Sequence, residues 1–229
     1  MRGLKRPFAM LGLMVLALLL TACGGGKSAG ESEAAPGVVI LVGQVSGSGG
    51  IAGVQVSAGG RSTETDGEGF FRLESVPVPA SGTLQVNYTK PGYAPQQRLL
   101  PVAAGNTYTA NAKLLAYQGE ATVGGTDGGT VQTPDGSSVA FPAGSLPAGQ
   151  LTVQMAVADP TTDEGRAVFP GDFMGRDSDD SEPATPLESV VFTEVSITDA
   201  DGNSVTRLNE PVTVRLRLPD SLQGQIQRR

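Results

Sequence analysis

The chain has 229 residues, no histidine, no tryptophan and a single cysteine, Cys23. Without histidine, neither a Ser-His-Asp nor a Cys-His catalytic arrangement can form, nor a His-ligated zinc site, and one cysteine leaves no intrachain disulfide to stabilise a fold. A net charge of −7 argues against nucleic acid or anionic lipid headgroups as partners.

Arg2, Lys5 and Arg6 precede an apolar run of 13 residues from Phe8 to Leu20. A membrane-spanning helix needs about 20 residues, so the run reads as the core of an export signal. Leu20-Thr21-Ala22-Cys23 resembles the lipobox of bacterial lipoproteins. The resemblance implies a signal peptide over 1–22, cleavage between Ala22 and Cys23, palmitate-type acyl chains on the Cys23 sulfur and a further acyl chain on its freed amine. One chain gives marginal membrane binding and two or three hold a protein firmly. Gly24, in place of aspartate, implies the outer membrane by likeness to enterobacterial sorting, with the protein facing the periplasm or the cell surface. The alternative is an ordinary secretory signal with an incidental cysteine. Removing 1–22 takes away three positive charges and leaves 13 basic against 23 acidic side chains, a net −10.

Residues 23–37, with the stretch GGGKSAGESEAAPG, have no apolar periodicity and read as a flexible tether. No helical stripe follows, and periods of two dominate. A first module is expected over 38–117. Val38–Val45 is apolar on both faces and Ile51–Val56 is the next strand. Asp66-Gly67 suits a tight hairpin. Phe71 and Leu73 share a face, as do Leu84, Val86 and Tyr88, and Lys90-Pro91-Gly92-Tyr93 makes a turn. Val76-Pro77-Val78-Pro79 is either a loop over the sandwich end or an exposed segment for a partner. About seven strands in this length fit a small β-sandwich. Gly43-Gln44-Val45, Ile51–Val56, Thr65–Phe71 and Pro91-Gly92-Tyr93 together resemble the carboxypeptidase regulatory-like (prealbumin- or transthyretin-like) family. That resemblance implies an accessory β-sandwich rather than a particular activity.

A second module is expected over 120–219, with a polar tail at 220–229. Leu151, Val153, Met155 and Val157 alternate with polar or small residues, and Val212, Val214, Leu216 and Leu218 do the same. Gly128–Val131, Val139–Leu146 and Glu210–Val214 resemble the β-sandwich shared by zona occludens proteins and netrin receptors. The fold class is therefore all-β, two consecutive antiparallel β-sandwiches after a signal helix and a tether.

Candidate chemistry is confined to carboxylates. Asp177, Asp179, Asp180 and Glu182 form an acidic loop that is either solvated or a calcium site, since calcium takes 6–8 oxygens. Their spacing does not match an EF-hand. Asp199, Asp201 and Asn203, like Asp66 and Glu68, read as turn formers that bond local amides. No carboxylate lies in the apolar context that would raise its pKa for acid–base catalysis. The sequence therefore points to a lipid-anchored envelope protein that is not an enzyme, has no cofactor, and uses its β-sandwiches for structure or for binding an envelope protein. The alternatives are a calcium-dependent adhesion or glycan-binding lipoprotein, and a hydrolase with paired carboxylates.

Overall fold

The computed structural model describes residues 37–169, 174–175, 185–186, 189–220 and 222. Ala22, Cys23, the tether through residue 36, and the candidate metal ligands Asp177, Asp179, Asp180 and Glu182 lie outside the described residues.

The N-terminal part is built from β1 (Val38–Ser46), β2 (Gln55–Ala58), β3 (Arg61–Glu64), β4 (Phe70–Pro77), β5 (Thr83–Thr89), β6 (Gln96–Pro101), β7 (Thr107–Thr109) and β8 (Ala112–Lys113). One sheet runs β4-β1-β7, with β8 pairing the far end of β1, and the other runs β3-β2-β5-β6. Both β7 and β8 are parallel to β1, so this sandwich is not purely antiparallel. The inward side chains form one apolar cluster, in which Leu41, Val45, Val54, Val56, Val86 and Tyr88 are fully buried. The alternation of Leu84, Val86 and Tyr88 is reproduced strand for strand.

Four details correct the sequence-based expectations. First, Ile51 to Val54 is not strand. Ile51 and Val54 are buried, but their backbone is held by the Thr65 hydroxyl, which donates to Ile51 O (2.6 Å) and accepts from Val54 N (2.9 Å). Second, Asp66–Phe70 does not close a hairpin within one sheet: β3 and β4 belong to different sheets, so this turn is a corner between layers. Third, Val76-Pro77 ends β4, Val76 is fully buried, and Val78 packs against the core, which removes the exposed-partner reading of that segment. Fourth, β4 carries a bulge. Val39 pairs with Val76 and Leu41 with Leu73, and Ser75 takes up the extra residue at φ 54°. The bulge returns Val76 to the face that Phe71 and Leu73 occupy.

The C-terminal part comprises β9 (Gly119–Gly124), β10 (Gly129–Gln132), β11 (Ser138–Phe141), β12 (Gln150–Ala158), a short helix α1 (Asp163–Ala167), β13 (Met174–Gly175), β14 (Thr185–Pro186), β15 (Phe192–Thr198) and β16 (Thr213–Arg215). Two three-stranded sheets, β10-β11-β16 and β15-β12-β9, face each other, and β13 pairs with β14. Their pairings are antiparallel. A second apolar cluster includes Val123, Val131, Val139, Leu151, Val153 and Met155. The Gly128–Val131, Val139–Leu146 and Glu210–Val214 stretches contribute the three neighbouring strands of one sheet. At the end of β12 the alternation fails, because Ala156 and Ala158 are buried and Val157 is half-buried. Leu216 and Val212 pack on the core only in part, and Val214 is 48% exposed. Expected as core, Val214 instead sits on a three-residue strand that, among the described residues, pairs only with β11.

Candidate functional site

The sequence α1 occupies carries local signals strong enough for one helical turn. Thr162 is the N-cap, its Oγ1 accepting from Gly165 N at 3.0 Å, and Asp163 and Glu164 sit in the first turn, where acids oppose the positive end of the helix dipole. The chain is bent into this turn by Asp159, whose carboxylate accepts from Thr161 N (2.8 Å) and Thr161 Oγ1 (2.6 Å). These signals are short-range, and five residues are too few to show a helical apolar stripe, so the sequence pattern missed the element.

This turn brings the end of β12 over to the N-terminal sandwich. Gln96 Nε2 donates to Val168 O at 2.9 Å and Arg98 Nη2 donates to Ala167 O at 3.0 Å, which satisfies carbonyls that a helix terminus leaves without partners. Lys113 Nζ lies 4.0 Å from the Glu164 carboxylate. Between the sandwiches the linker residue Gln118 is tied to β12: its backbone N donates to Met155 O, its Nε2 donates to Val157 O, and its Oε1 accepts from Val157 N.

Under this arrangement lies an open groove of about 1090 Å³. One wall is the Gly47–Ala52 loop with Lys90 and Tyr93; the other is Val157–Asp159 with Thr162 and Glu164. No single motif encodes it, since its walls come from a loop, a strand end and a helix far apart in the chain. Its charged groups are largely committed: Lys113 faces Glu164, and Asp159 holds its own turn. The groove therefore offers a mixed apolar and polar surface suited to recognition rather than a pair of free carboxylates.

The turn assignments for the other acidic candidates hold. Asp199 Oδ1 accepts from Asp201 N (3.0 Å) and Asn203 N (2.8 Å). Asn203 holds its carboxyl below the ordinary carboxylate range, mainly through its side-chain amide. Asp66 Oδ1 accepts from Glu68 N (3.1 Å) and Phe70 N (2.7 Å). Asp135 bonds Thr133 Oγ1 and Ser137 Oγ, so it too fixes a turn. Partial burial pushes Glu194 above the usual carboxylate range although it remains largely open to solvent. Tyr117 is raised by burial, with the Glu194 charge adding and a Ser196 hydrogen bond opposing. Sequence reasoning missed this pair, because its partial burial comes from tertiary packing. Among the described residues, no cluster of three or more Cys, Asp or Glu is placed to hold a metal ion.

Among solved structures, the chain is similar to an N-terminal interface mutant of a type II cohesin–X-dockerin complex from Acetivibrio cellulolyticus, at 21% identity and TM-score 0.30 over 35% of this chain and 59% of that one. It is also similar to the Bacillus anthracis TIE protein, at 11% identity and TM-score 0.28 over 78% of this chain and 48% of that one. In both cases the chain spans less than two thirds of the other protein. No curated protein matches it. Residues 40–115, which supply most of β1, all of β2 to β8 and nearly all of the N-terminal core, match the Carboxypeptidase regulatory-like domain.

Proposed function

We propose that this is a lipid-anchored protein of the bacterial envelope, held in the outer membrane through Cys23, whose two β-sandwich domains, 38–117 and 120–219, bind another envelope protein without catalysing a reaction. The likeness of 120–219 to the zona occludens and netrin-receptor sandwich belongs to the same proposal. The observation that carries the binding role is the groove of about 1090 Å³ between the Gly47–Ala52 loop of one sandwich and the end of β12 with α1 of the other. Binding functions commonly reside in such loops on a rigid scaffold. The anchoring role is supported by the Leu20–Cys23 stretch behind its 13-residue apolar run.

Site-specific photocrosslinking in intact cells tests this. A crosslinker in place of Ser48, in the groove, is expected to give one defined adduct that Tyr93→Ala weakens. A crosslinker in place of Ser204, on the exposed turn after β15, is expected to give none. Adducts of equal strength from both positions, or from neither, would contradict the proposal.

A further inference from the structure

We infer that α1 is a strap that locks the two sandwiches into one rigid body, with Gln96 and Arg98 as its anchor points. In β6, Gln96, Arg98 and Leu100 alternate with Gln97 and Leu99, so they share a face. Leu100 packs on the N-terminal core and Leu99 is 66% exposed, which makes the Gln96/Arg98 face the inward one. Two long polar side chains on the inward face of a sandwich strand have no role in a lone apolar core. Here they meet the Ala167 and Val168 carbonyls at 3.0 and 2.9 Å, and Gln96 is only 6% exposed. The strap thus gives each of the two side chains one backbone partner, while Gln96 Oε1 and Arg98 Nε stay buried without one.

Domains joined by a short linker move relative to one another unless a second contact prevents it. The Gln118 hydrogen bonds fix the linker to β12. The strap leaves the same end of β12, directly after Ala158, and returns to β6 and, through Glu164, to Lys113 of β8. On the N-terminal sandwich the two attachments lie at separate places, Gly92, whose carbonyl accepts from Tyr117 N, and the Gln96/Arg98 face, and together they remove the hinge that either alone would leave. The inference does not depend on what the groove binds.

Distance distributions between spin labels at Ser62→Cys and Ser204→Cys, in the full chain with Cys23→Ser, test it. The otherwise unaltered protein is expected to give one narrow peak. Gln96→Leu with Arg98→Leu is expected to broaden it at least twofold. Thr162→Ala, which removes the strap's N-cap without touching the N-terminal core, is expected to broaden it in the same direction and decides the matter if the double variant does not fold. A broad or multiple distribution without strap substitutions would overturn the rigid body, and unchanged widths in the folded variants would overturn the role of the strap.

Discussion

Replacing Gly69 with alanine probes the corner between the two N-terminal sheets. Gly69 has φ +84°, and a Cβ there would lie 2.3 Å from Val45 O, 2.8 Å from Ile51 N and 3.0 Å from the Gly50 Cα. These neighbours are backbone and are tied in place: Val45 N donates to Gly69 O at 2.8 Å, and Ile51 N donates to Val45 O at 2.9 Å. Forcing a non-glycine residue into the left-handed region costs about 1–2 kcal/mol. Relieving the clash sacrifices one or both hydrogen bonds, at about 0.5–1.5 kcal/mol each. The total is about 1.5–5 kcal/mol against a whole-protein stability of about 5–15 kcal/mol. Gly67, the glycine of the Asp-Gly pair, does not have positive φ and has nothing within 4 Å of its Cβ position, so Gly67→Ala should stay within about 0.5 kcal/mol of the unaltered protein. Urea unfolding followed by far-UV circular dichroism, extrapolated to water, measures both. The account of the corner fails if Gly69→Ala unfolds with unchanged stability, or if Gly67→Ala is the more damaging change.

Three further outcomes are expected. Val153→Asp places a charge where the side chain is fully buried and should cost several kcal/mol, on the order of the cost of an unpaired buried polar or charged group. Val214→Asp, at a 48% exposed position, should shift the urea midpoint little; equal damage from both would mean that β16 is packed differently. Tyr88, whose hydroxyl donates to Ala110 O at 2.7 Å, has its phenol pushed far above its ordinary value by burial, with Arg98 opposing. Its contribution is therefore complete below the unfolded value of about 10 and is lost as pH rises toward the folded one. In melts at graded pH, Tyr88→Phe should lower stability near neutrality by about 1–3 kcal/mol, because the Ala110 carbonyl loses its buried partner, and should flatten the alkaline decline. An unchanged alkaline decline would refute this. Millimolar calcium should leave the melting temperature unaltered if Asp177–Glu182 is a solvated loop; a rise abolished by Asp179→Ala with Asp180→Ala would establish the calcium site instead.

Much of the fold was legible wherever one regular strand faces one core. The period-two patterns of Leu84–Tyr88 and Leu151–Met155 translate directly into buried faces, and the Asp66 and Asp199 turns follow from short side chains bonding nearby amides. Irregularity hid the rest. The Ser75 bulge breaks the period that would place Val76. Ile51 and Val54 look like a strand because they are buried, yet Thr65 supplies their backbone partner from 11 and 14 residues away. Val214 alternates like a core residue but lies on a strand that, among the described residues, pairs only with β11. The groove and the strap were invisible in the sequence, since each depends on contacts such as Gln96 to Val168 that join positions 72 residues apart.

Lipid anchorage through Cys23 is the claim on which the envelope assignment rests, and the intact mass of protein extracted from membranes tests it most directly. The account predicts a chain that lacks residues 1–22 and carries the added mass of two or three acyl chains on an N-terminal Cys23. A chain with an unmodified Cys23 thiol would contradict it.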